Sequence, residues 1–166
     1  MEKRYLRLSN GRSLRSSDRP PAASSDWLVT LQRWLPVVVW ATFISWFSTD
    51  AFSARSTNSY IDPVLRYLLG DLTPAGFRFF HSIIRKSAHM IEYAILGALT
   101  VRALTTPGAR ISRPLIVRAL VACAVYALLD EAHQTLVPSR TGSGIDVMID
   151  IAGATFGTLL MAWRRR

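Results

Sequence analysis

The sequence predicts an all-α membrane protein, a bundle of four transmembrane helices with a short amphipathic helix between spans one and two. Three observations predict it. Of the 166 residues, 50% are hydrophobic and the mean hydropathy is positive, a balance too apolar for an ordinary soluble domain in a chain too short for several. Four apolar segments, each bounded by charged or turn-forming residues, are long enough to cross a hydrocarbon layer of roughly 30 Å, which takes about 20 helical residues. The basic residues behind the net charge of +9 stand beside these segments and form no stripe with interleaved aromatics, which excludes nucleic acid as the expected partner.

Residues 1–26 are polar, basic and Pro/Ser-rich, the composition of a disordered cytoplasmic tail. The first span runs from about Trp27 to Ser48 around the core WLPVVVWATFISWFS, with Arg33 placed to snorkel and Trp27, Trp34, Trp40 and Trp46 partly suited to the interfaces. A cleaved signal peptide competes, because Ala51, Ser53 and Ala54 follow, but the polar leader is long for one. The piece YIDPVLRYLLG within residues 49–73 is too short to cross and reads as a surface helix. Thr73 then offers an N-cap and Pro74 a first helical residue, opening a helix that continues to about Leu104. At 1.5 Å per residue that helix covers roughly 45 Å, so its first turns project beyond a span. A turn around Pro107 and Gly108 leads to the third span, Pro114 to about Leu136. VPSRTGSG breaks the helix, and the fourth span runs from Ile145 to Trp163 before three closing arginines. The bundle domain thus covers residues 27–166. The one cysteine, Cys123, lies mid-span and reads as a buried small hydrophobe.

Basic residues in the leader, around the loop between spans two and three (Arg102, Arg110, Arg113, Arg118) and at the C-terminus place both termini on the cytoplasmic side of a plasma membrane. The 49–87 segment is also basic, with Arg85 and Lys86, but Asp50, Asp62 and Asp71 accompany it. With this topology, span two begins on the outer side with Arg85, Lys86, His89, Glu92 and Tyr93. Span three ends there with Asp130, Glu131, His133 and Gln134, Arg140 sits in the outer loop, and span four starts with Asp146 and Asp150.

Helical phase groups these residues further. Arg85, His89, Glu92 and Tyr93 share one face, as do Asp146, Asp150, Gly153 and Gly157, whose Gly-x-x-x-Gly permits close helix contact. At least two of Asp130, Glu131 and Gln134 face inward, while His81 and His133 read as ordinary structural histidines. A carboxylate at the bilayer centre costs about 2.5–3.5 kcal/mol on insertion scales. Five acids (Glu92, Asp130, Glu131, Asp146, Asp150) face three permanent cations (Arg85, Lys86, Arg140). The excess calls for protons, a divalent metal ion or a cationic ligand group. Snorkelling explains Arg85 and Lys86 taken alone; for the whole set, function outweighs helix-gluing polarity. Span one carries almost no polar group and reads as scaffold.

The stretches RKSAHMIEYAILG and ALLDEAHQTLVPSRTGSGIDVMIDIAG resemble the VanZ-like membrane proteins, with the likeness extending over residues 34–163. The motif residues carried over are Lys86, His89, Glu92, Tyr93, Asp130, Glu131, Gln134, Arg140, Asp146, Asp150 and Gly153. Asp150 stands where Asn is common. The family takes its name from a protein associated with teicoplanin resistance, so the resemblance implies a cell-envelope protein and, by analogy alone, that phenotype.

Three functions fit. One is an outward-facing intramembrane enzyme acting on a lipid-linked, phosphate-bearing envelope intermediate, with Glu92, Asp130, Glu131 and Asp146 as the acid–base set and Lys86, Tyr93, Gln134, Arg140 and Asp150 holding substrate. In a metal-assisted form, His89, Glu92 and the acids of spans three and four hold a divalent ion. No Ser or Cys carries a nucleophile signature. The others are a non-catalytic headgroup binder or proton-coupled carrier, and a structural helper of another membrane complex.

Overall fold

The computed structural model describes residues 26–49, 54–70, 72–137 and 142–165. Among them every regular element is helical: α1 (Asp26–Phe47), α2 (Ala54–Leu69), α3 (Pro74–Leu104), α4 (Arg113–Thr135) and α5 (Gly144–Arg164). The expected tail up to Ser25, and Arg140, lie outside the described residues. The chain divides into two compact units, residues 1–32 and 33–166. Of the first, the described part is the opening of α1, with Trp27, Leu28, Val29 and Leu31 exposed.

Local chemistry sets the helix starts. Thr73 stands in extended backbone and its hydroxyl accepts the amide of Gly76 at 3.2 Å, with Pro74 at the first helical position. Such a cap satisfies a donor that the helix leaves over. Ser112 precedes α4 with Pro114 in its first turn. α2 is longer than the expected piece and begins at Ala54, within a Ser/Thr/Asn-rich stretch that precedes that piece. Extending an existing helix costs only the weak per-residue propensity, whereas nucleation is the expensive step. An Arg66–Asp62 pair one turn apart, at 2.9 Å, braces its exposed face.

Two helices are long and apolar enough to cross a membrane, Trp27–Phe47 and Gly144–Arg164. Neither is a buried core helix, since only 11% and 33% of their apolar stretches lie inside the molecule. α3 and α4 are less apolar because of the charges they carry: Arg78, Arg85, Lys86, Glu92 and Arg102 in the first, Arg113, Arg118, Asp130 and Glu131 in the second.

In the second unit α3 and α5 run parallel in close contact, and α4 packs antiparallel against both. The approach depends on absent side chains. A Cβ on Gly153 would strike the Met90 carbonyl, one on Gly157 the Ala94 carbonyl, and one on Gly97 the Ala154 carbonyl, the small-residue contact that lets backbones meet. From Arg33 onward α1 lies antiparallel to α3. The Arg33 guanidinium caps the last carbonyls of α3, reaching Ala103 and, at 2.6 Å, Thr105, a cation where the helix dipole is negative. Trp40 Nε1 donates to the Glu92 carbonyl at 2.9 Å, and the Tyr126 hydroxyl donates to the Ala41 carbonyl at 2.5 Å. The core is small: Ile44, Tyr93, Leu96, Cys123, Ala127 and Ala154. Large apolar side chains instead line the outer faces, among them Val38 and Phe43 on α1, Val121 and Leu128 on α4, and Phe156 and Leu159 on α5.

Candidate functional site

The parallel register of α3 and α5 brings Arg85 beside Asp146 and His89 beside Asp150, two pairs one helical turn apart on both helices. α4 arrives from the opposite direction, so its last two turns reach the same level. The polar residues singled out from the sequence fall there into three groups.

The rim group holds charge. Asp146, at the start of α5, is buried and receives two cations, Arg85 Nη2 at 3.1 Å and Lys86 Nζ at 3.3 Å. Lys86 keeps 40% of its side chain exposed, so its ammonium retains donors for a further anion.

One turn deeper, the central group is His89, Glu131 and Asp150, all buried and each from a different helix. The three offer ligand atoms that lie within 4.8 Å of one another. His89 Nδ1 stands 3.1 Å from Asp150 Oδ1, and Glu131 Oε2 accepts the Ser143 amide at 2.7 Å. The second oxygen of each carboxylate, Asp150 Oδ2 and Glu131 Oε1, is buried without a hydrogen-bond partner. The Tyr93 hydroxyl is also buried and unpartnered, within electrostatic reach of Asp130, Glu131 and Asp150. Orphaned buried acceptors are costly, by about 1–3 kcal/mol each, and rare in folded proteins. Tyr93, Glu131 and Asp150 each carry one such atom, and all three residues are buried.

The third group faces α1. Asp130 Oδ2 accepts from Ser48 Oγ at 2.9 Å and from Gln134 Nε2 at 3.1 Å, and the same amide reaches Ser48 at 3.3 Å. Asp130, Glu131 and Gln134 are all buried. Glu92 is half-buried on α3, within electrostatic reach of His89. His133 is exposed, and His81 is half-buried with Nε2 lacking a partner.

Sequence reasoning missed Ser48. The residue ends an apolar segment and shows no periodic signal, so span one read as scaffold, yet its hydroxyl completes the Asp130–Gln134 network.

A family model described as VanZ/LLP1 matches residues 33–165. The chain belongs to the VanZ/LLP1 family. No curated protein matches it, and no solved structure does. Within this family match lie all three polar groups, together with the glycines Gly97, Gly153 and Gly157 that draw α3 and α5 close enough to form them.

Proposed function

We propose that this VanZ/LLP1 chain is a four-span plasma-membrane protein whose polar site opens toward the outer leaflet and performs acid–base chemistry on a lipid-linked, phosphate-bearing envelope intermediate. The observation that carries the reading is the meeting of His89, Glu131 and Asp150 from three helices, with two carboxylate oxygens left unbonded in the interior. Isolated charge is expensive in a bilayer and is retained where it does chemistry. The apolar outer faces suit lipid, since contiguous exposed apolar surface on this scale is foreign to water-soluble monomers. Basic residues on the remote ends of α3, α4 and α5 (Arg102, Arg113, Arg164), with Arg33 beside them, support an inward-facing basic end and an outward-facing site. In this arrangement Lys86 and Arg85 meet the phosphate at the rim, and Glu92 moves the proton.

Two measurements test this. Reporter fusions at residues 106–112 and at both termini are expected to read cytoplasmic; a single outward-facing reporter among them breaks the topology on which the site rests. In a deletion strain, Glu92→Gln is expected to insert normally yet lower turnover of lipid-linked precursors by about 10²–10⁴-fold, the usual share of one general acid or base. Full complementation by that variant removes Glu92 from the chemistry. An altered pH dependence at unchanged turnover points instead to a proton-coupled carrier, and loss of assembly alone to a structural helper. Teicoplanin susceptibility of the same strains checks the link that family analogy offers.

A further inference from the structure

We infer that the His89–Glu131–Asp150 cluster binds a single divalent metal ion of the zinc or manganese kind. The inference rests on the proposed function only in taking this cluster as the centre of the site. Four features of the site carry it.

The first is geometry. Two ligand atoms held at about 2.1 Å from one ion lie no more than about 4.2 Å apart, and these three lie within 4.8 Å of one another. Small rotamer movements close that gap without moving a helix. The second is satisfaction. Asp150 is fully buried and Glu131 95% so, and Asp150 Oδ2 and Glu131 Oε1 have no donor. A cation bound among these residues would give two under-satisfied carboxylates a shared partner.

Charge balance is the third. Arg85 and Lys86 both pair with Asp146, and among the described residues no Lys or Arg forms an ion pair with Glu131 or Asp150. Among the described residues, two buried carboxylates with an imidazole as their one basic neighbour match a dication. Ligand identity is the fourth. One imidazole nitrogen and carboxylate oxygens form a mixed donor set suited to zinc or manganese and unlike the all-oxygen cages of calcium or magnesium. Three protein ligands also leave a coordination position open, the pattern of catalytic zinc sites. The unpartnered Tyr93 hydroxyl stands within electrostatic reach of both carboxylates, where it can bond to whatever fills that position.

The test uses the full chain purified in detergent, stripped with chelator, and titrated separately with Zn²⁺ and Mn²⁺. One of these ions is expected to bind at one per chain by elemental analysis. His89→Gln, Glu131→Gln and Asp150→Asn are each expected to weaken it by more than the roughly 10- to 100-fold that loss of an outer-shell partner costs. Because a variant can fail to fold, wild-type protein loaded with Co²⁺ supplies a second readout, a visible absorption band from nitrogen–oxygen ligation at low coordination number. Absence of both stoichiometric binding and the cobalt band overturns the metal site, as does binding that survives all three substitutions in folded protein. If metal fails to bind while Glu92→Gln still abolishes turnover, the acid–base reading stands without a metal. If metal binds as expected and Glu92→Gln complements fully, the ion is retained and the proposed chemistry falls.

Discussion

Replacing Gly157 by leucine is expected to keep the protein from reaching its folded state. The α5 backbone at Gly157 lies directly against α3, where even one added carbon would overlap the carbonyl of Ala94. The obstacle is backbone, so no side-chain rotation relieves it, and the cost lies at or beyond the upper end of the about 1–3 kcal/mol that overpacking typically exacts. Separation of α3 from α5 would also pull Asp146 from Arg85 and Lys86, and Asp150 from His89. Gly157→Ala should fail by the same mechanism, to a smaller degree. Gly144 is the control, since a Cβ there meets nothing within 4 Å, and Gly144→Ala should hold or slightly raise stability because alanine favours helix over glycine. Thermal melting of detergent-purified protein, read by size-exclusion fluorescence, checks the pair. A Gly157→Leu protein that melts with wild type would show that the two helices do not cross as described.

His89→Leu, measured with chelator present, is expected to cost about 3–5 kcal/mol, because it strips Asp150 of its one side-chain partner among the described residues and leaves a carboxylate uncompensated in the interior. Asp150 is fully buried, and its second oxygen already lacks a donor. Adding Asp150→Asn to the same chain removes the charge but leaves an amide whose unmet hydrogen bonds still cost about 1–3 kcal/mol. The double variant should therefore recover part of the loss without recovering turnover. Non-additivity between two contacting residues is the signature sought. Unfolding titrations of wild type, both single variants and the double complete the cycle. Strictly additive effects would mean that His89 and Asp150 do not depend on each other.

Both expectations draw on features of different origin. The start of α3 at Pro74 and its end at Leu104 were readable from Thr73, Pro74 and the apolar period, because helix ends are set by side chains within a few residues. The shared face of Asp146, Asp150, Gly153 and Gly157 was likewise readable, since 3.6 residues per turn fixes which positions line up. Composition, however, misjudged the start of α2, where a polar stretch joins a helix already nucleated beside it.

Partner choice was settled at longer range. Nothing in the order of residues says that Arg85 and Lys86 both turn to Asp146 and leave Glu131 and Asp150 with no lysine or arginine partner among the described residues. Nor does it say that Ser48, at the end of an apolar helix, completes the Asp130 network across 82 positions of chain. The sequence by itself determined the helices and the polar face each one carries, because backbone periodicity is local. Only the tertiary structure decided the sliding register of α3 against α5 and of α4 against both, and with it which carboxylates meet cations and which are left to gather, because that register depends on glycine-to-carbonyl contacts some 60 residues apart.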